Sequence, residues 1–216
     1  MKKIITTILA LLFASAAYSI EKPTFSAGLS LAGGVFEVDG ASEKNADATK
    51  KANEDDAEAL YGIGSIFLEA KFNDKFVLGV DYVPHSLDTE TSENVQSQMG
   101  TNKTNTVQID FEDYTTVYAA IFLNENFYAK AGYAQVEAIT NENLGTGGAY
   151  GNETFDGYTL GLGYNKDLDN GIFLRLEGNY TEFDGVTSKN TADTTKSITV
   201  DGITGYGAKI SVGRNF

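Results

Sequence analysis

Eight stretches of this chain alternate apolar with small or polar residues at a period of two, and the connections between them run long, short, long, short without exception. The stretches cover about 24–38, 60–72, 76–83, 106–123, 127–139, 154–166, 172–183 and 203–216. A period of two belongs to a β-strand whose two faces meet different surroundings. The long connections, 39–59, 84–105, 140–153 and 184–199, are polar; the short ones are turns at Asn73-Asp74-Lys75, at Asn124-Glu125-Asn126 and from Asp167 to Gly171. An even number of antiparallel strands with turns at one end and long loops at the other closes as an up-and-down barrel. The expected fold is therefore all-β, an eight-stranded antiparallel barrel.

The two parities say what surrounds it. In the final stretch Tyr206, Ala208, Ile210 and Val212 share one face, and Gly205, Gly207, Lys209, Ser211 and Gly213 the other. In the fourth, Val107, Ile109 and Phe111 lie on an apolar parity that Val117, Ala119, Ile121 and Leu123 continue. The opposite parity of the barrel collects Glu69, Lys71, Asp81, Lys130, Arg175, Glu177 and Lys209. A soluble ligand-carrying barrel needs the reverse arrangement, with apolar side chains lining its cavity. An apolar outside around charges of both signs fits a transmembrane barrel in lipid, its lumen plugged by a paired charge network. Arg175 is expected to pair with Glu177, Glu69 or Asp81. Phe72, Phe76 and Phe127 sit beside the short turns, and Tyr82, Tyr158 and Tyr180 toward the other strand ends, as two interfacial girdles require.

The closing stretch, ITGYGAKISVGRNF, ends on Phe216 after a run of alternating residues. It resembles the last strand of Gram-negative outer-membrane β-barrels, with Arg214 departing from the apolar residue usual at such a position. From about residue 24 onward the chain is similar to the small eight-stranded members of that group: the OmpA transmembrane domain, OmpX and the opacity-type surface proteins. The resemblance implies an outer-membrane location with the long loops outside and the turns periplasmic. It implies Phe216 as the membrane-assembly signal read by the barrel-assembly machinery, and lipids and lipopolysaccharide as surroundings. It rests on architecture, so it implies little about activity.

Composition adds exclusions. With 30 acidic against 16 basic side chains the net charge is −14, which argues against a nucleic-acid partner. The chain has no Cys, so neither disulfides nor thiolate metal sites enter. Lys2 and Lys3, the apolar run from Ile4 to Ala17 and the small-x-small site Ala17-Tyr18-Ser19 have the layout of a secretory signal peptide, expected to be cleaved near Ser19. The barrel domain is then 20–216.

Candidate chemistry is sparse. The single histidine, His85, precedes Ser86 and Asp88, but neighbours in an extended segment point to opposite faces, which disfavours direct proton transfer to Ser86. Glu54, Asp55, Asp56 and Glu58 gather in the first long connection without the glycine-centred spacing of a calcium hand. No catalytic, metal or cofactor residue is expected. A pore for small apolar molecules would want an apolar lumen, which the inward parity does not provide. The sequence thus reads as a non-enzymatic outer-membrane barrel with a structural or surface-interaction role, its loops holding an extracellular ligand; a narrow channel is the alternative, and a lipid-modifying enzyme a lesser one.

Overall fold

The computed structural model describes residues 22–44, 50–53, 57–98, 101–145 and 147–216. The signal-like segment 1–19 lies outside them. The barrel wall consists of β1 (Thr24–Val38), β2 (Ala57–Phe72), β3 (Phe76–Tyr82), β4 (Thr101–Phe122), β5 (Phe127–Leu144), β6 (Glu153–Asp167), β7 (Ile172–Lys189) and β8 (Ser197–Asn215). Each pairs antiparallel with its sequence neighbours, and β1 closes on β8 from Ser26↔Asn215 to Val38↔Ile203. Following paired residues once around the wall, from Leu60 through Val35, Tyr206, Tyr180, Leu160, Ala131, Ala119 and Leu78, returns to β2 at Ala70, a shear of ten residues. With eight strands that shear tilts them by about 40° to the axis.

At one end the chain turns tightly. Asn73 and Asp74 both take left-handed backbone (φ 51° each), a conformation their short polar side chains tolerate. Between β6 and β7, Asn170 (φ 64°) and Gly171 (φ 75°) do the same. At the other end the connections are shorter than the sequence suggests, because the wall continues into them. Strands β4 to β8 extend into these connections over 101–105, 140–144, 184–189 and 197–199; Ala41–Lys44 pairs with β8 and Lys50–Asn53, and Ser92–Gln98 pairs with β4. These extensions carry no apolar parity because water bathes their outer face. The ladder and inward contacts such as Val186 on the Phe155–Phe183 cluster hold them, and period-two hydropathy passes them over.

The outward parity is apolar throughout the middle of the barrel, with Leu29, Leu31, Leu162, Leu176 and Ile210 exposed. Tyr133, Tyr158, Tyr180 and Tyr206 ring one level; Tyr180 and Tyr206 meet edge to face at 5.4 Å. Their hydroxyls reach carboxylates above the apolar band: Tyr133 donates to Asp156, and Tyr158 and Tyr180 to Glu182. Phe76, Phe127 and Tyr164 mark the level of the turns, with Phe127 edge-on to Tyr164 at 5.1 Å.

Two irregularities shape the upper wall. A β-bulge shifts the β4–β5 register between Glu112 and Thr115, with Asp113 at φ 54°. The extra residue swaps the faces of β4. Above the bulge, Ile109 and Phe111 turn inward against Ala134, Val136, Ala138, Phe155 and Phe183. Below it, Thr116, Tyr118, Ala120 and Phe122 are the buried set. The expectation that Val107, Ile109 and Phe111 share the lipid-facing parity of Val117 and Ala119 is therefore corrected: one inserted residue puts them inside.

The second irregularity is a seam. β2 pairs with β1 from Ala57 to Lys71, but with β3 only over Ile66–Phe72. Beyond Tyr82 the chain leaves β2 and pairs with β4 instead, through Leu87↔Phe111 and Ser92↔Val107. Among the described residues no ladder joins 57–65 to 83–98. His85 closes the base of this gap. Its Nδ1 donates to the Ser86 carbonyl at 3.1 Å, which leaves Nε2 to accept the Gly64 N–H at 3.2 Å.

Candidate functional site

The inward parity of the lower barrel brings six of the seven expected lumen residues into three ion pairs. Arg175 faces Glu69, its Nη2 donating to Oε2 at 2.8 Å and its Nη1 to Oε1, while its Nε donates to Asn165 Oδ1 at 2.9 Å. Lys130 pairs with Glu177, and Lys209 Nζ donates to Asp81 Oδ2 at 2.9 Å. Of the three partners open to Arg175 in the sequence, the structure selects Glu69. Lys71 lies apart. It sits near the turn, 3.9 Å from Asp74 and 4.6 Å from the centre of the Phe122 ring, because its strand position falls below the charged layer.

Aromatic side chains complete this layer, and the parity reading missed them. Tyr118 donates its hydroxyl to Glu69 Oε1 at 2.7 Å and Tyr128 to Glu177 Oε2 at 2.8 Å. The guanidinium of Arg175 lies 4.4 Å from the centre of Phe173, and Lys130 Nζ 5.0 Å from that of Tyr118. Each ring rests on a glycine directly across the ladder: Phe67 on Gly28, Tyr118 on Gly79, Tyr128 on Gly163 and Phe173 on Gly213. A Cβ at Gly79 would stand 2.4 Å from Tyr118 Cζ, so the glycine is what lets the ring lie flat. An inward glycine paired across the ladder with an aromatic residue was the available signal.

Three cations against three anions leave the layer neutral. The free space among these side chains is about 20 Å³, little more than the roughly 10–15 Å³ that one water needs. The lumen is plugged at this level.

Above the plug the interior changes character. Phe36 stacks on Tyr61 with ring centres 4.5 Å apart, and Phe183 meets Tyr114 at 5.9 Å. Over this aromatic floor opens a cavity of about 510 Å³, walled by Val107, Ile109, Ala138, Phe155, Val186 and Val200. Its upper lining adds Glu43, Glu142, Glu153, Tyr150, Asn190 and Lys196. Glu142 accepts the Tyr150 backbone N–H, yet burial still raises its pKa above the ordinary 4.5. The expectation of a lumen without apolar lining is corrected at both levels: Phe67, Val77, Ala120 and Phe122 line the plug among its charges, and the vestibule, which the faces swapped at the bulge help to build, is walled by aliphatic and aromatic side chains.

Other sequence candidates are not drawn together. Among the described residues no group of three or more acidic or histidine side chains is arranged to hold a metal; Glu54, Asp55 and Asp56 lie outside those residues. His85 is committed to the backbone at the seam. Phe216 is three-quarters exposed, its amide donating to the Phe25 carbonyl at 2.8 Å.

A family described as "Outer membrane protein beta-barrel domain" matches residues 4–216. The chain belongs to that family. It is thus an outer-membrane β-barrel protein of a Gram-negative cell. Among solved structures this outer-membrane barrel is similar to the outer membrane protein OprG from Pseudomonas aeruginosa, at 11% identity and a TM-score of 0.55, covering 92% of this chain and 98% of that one. That likeness shows a shared fold alone. It is also similar to Neisserial surface protein A, at 13% identity and a TM-score of 0.43 over 89% and 97% of the two chains. A further likeness, to the outer membrane protease OmpT from Escherichia coli, has 11% identity and a TM-score of 0.45 over 89% and 97%. No curated protein matches the chain.

Proposed function

We propose that this outer-membrane barrel is non-enzymatic and non-conducting, a scaffold plugged by neutral ion pairs that presents its outer end to extracellular partners. The plug is the observation that carries the reading. Buried, fully paired charges with space for about one water oppose the passage of solutes. The single histidine is held by backbone groups, which supports the absence of histidine-based catalysis. The tight turns face the periplasm in this reading, Phe216 addresses the assembly machinery, and the tyrosine ring with its carboxylates meets lipopolysaccharide. In planar lipid bilayers the purified protein should insert without steady single-channel current. A reproducible conductance in the wild type would replace this reading with that of a narrow channel.

A further inference from the structure

The vestibule above the plug has no part in closing the lumen, and its construction is that of a binding pocket. At about 510 Å³ it falls within the range of pockets that enclose small organic molecules. Its walls are aliphatic and aromatic, from Ile109, Ala138, Phe155 and Val200, backed by Phe36 and Phe183. The cavity is only partly enclosed, which in the proposed orientation gives a ligand a route in from outside the cell.

Charge separates the vestibule from the layer below it. The plug matches each buried cation with an anion, whereas among the described residues the vestibule lining holds three carboxylates, Glu43, Glu142 and Glu153, against the cation Lys196. None of the four forms an ion pair among the described residues. Glu142 spends one oxygen on the Tyr150 N–H, and its second oxygen takes no donor among the described residues. An apolar chamber whose described lining carries more carboxylates than cations complements a molecule with a hydrophobic body and one positive end.

We infer that the vestibule binds a small organic ammonium ion, its aryl or alkyl body against the Ile109, Ala138 and Phe155 wall and its charged end among Glu43, Glu142 and Glu153. This site rests on the reading of a barrel plugged below and working at its outer end. The body supplies affinity by leaving water, and the carboxylates select the sign of the charge.

The test uses the full chain in neutral phosphatidylcholine nanodiscs, with 4-phenylbutylammonium and 4-phenylbutyrate as probes matched in body and opposite in charge. Calorimetric titration should give saturable one-to-one binding of the ammonium, at least tenfold tighter than the carboxylate. Ile198→Trp, at the partly exposed rim of the chamber, should weaken the ammonium at least tenfold while heat-modifiable migration on a gel stays normal. Glu142→Gln together with Glu153→Gln should cut the preference for the ammonium to threefold or less. The inference is overturned by non-saturable uptake equal to that of empty nanodiscs, by equal affinity for the two probes, or by unchanged affinity in the folded Ile198→Trp protein. Single-channel recording of the same preparation separates the two readings. A steady current refutes the plug, whereas loss of probe binding without current refutes only the site.

Discussion

Replacing Arg175 by Met should destabilise the barrel strongly, and adding Glu69→Gln should recover most of the loss. The Glu69 side chain is 2% exposed and accepts from Arg175 at both oxygens, with Tyr118 as its remaining donor. Without the guanidinium, a buried carboxylate keeps one hydroxyl partner, and breaking a buried pair from one side costs about 3–5 kcal/mol. With a urea dependence of about 2 kcal/mol per molar, the unfolding midpoint should fall by roughly 2 M. In the double variant a neutral amide replaces the stranded charge and its carbonyl still accepts from Tyr118. The residual cost should then be about 1–2 kcal/mol, from imperfect hydrogen bonding and lost stacking on Phe173. The assay is equilibrium urea unfolding in detergent, followed by the compact gel band and by tyrosine fluorescence, since the chain has no Trp. If the double variant is no more stable than Arg175→Met alone, the penalty is not that of an orphaned charge and the reasoning fails.

Gly79→Ala should cost about 1–3 kcal/mol by driving a methyl into the Tyr118 ring, measurable in the same urea titration; an unchanged midpoint would mean the ring moves freely. Asp113→Asn should be nearly neutral, whereas Asp113→Val should cost about 1–2 kcal/mol for left-handed backbone, plus the hydrogen bond from Tyr82. Protease added to whole cells should cut within 45–56 or 145–152 and spare Asn73 and Asn124; cleavage at either turn would invert the proposed orientation. A raised pKa means Glu142 loses its charge earlier than an ordinary glutamate as pH falls, so ammonium binding should weaken from above pH 4.5 downward. The same sign makes Glu142 a source of strain when ionised, relieved on protonation. Glu142→Gln should therefore flatten the low-pH limb of the binding curve, and an unaltered limb would assign the titration elsewhere.

The strand count, the turns and the lipid-facing parity were legible because lipid imposes one demand on every outward residue of the membrane band. Charged lumen residues were legible for the matching reason: Arg175 or Glu177 on the inward parity has nowhere to go except into a pair. Partner choice was not legible, since Glu69 reaches Arg175 from across the lumen, where strand register and shear jointly decide who meets whom. Lys71 shares the parity of Glu69, but parity says nothing about height along the axis. The β4 side of the vestibule escaped notice because Val107 and Ile109 are turned inward by the bulge at Asp113, and a fixed period carries no mark of such a reversal. The strand extensions escaped because Thr104, Thr187 and Thr199 face water rather than lipid.

The seam places the weak joint of the wall away from its covalent ends. β1 and β8, the strands whose meeting turns a sheet into a ring, are stitched continuously from Ser26 to Val38, while β2 and β3 part company above Ile66. A ring whole below and slit above has the form of a collar, in which no ladder bond among the described residues crosses the upper rim at the seam. Girth at the mouth and closure at the waist thereby rest on different stretches of the wall.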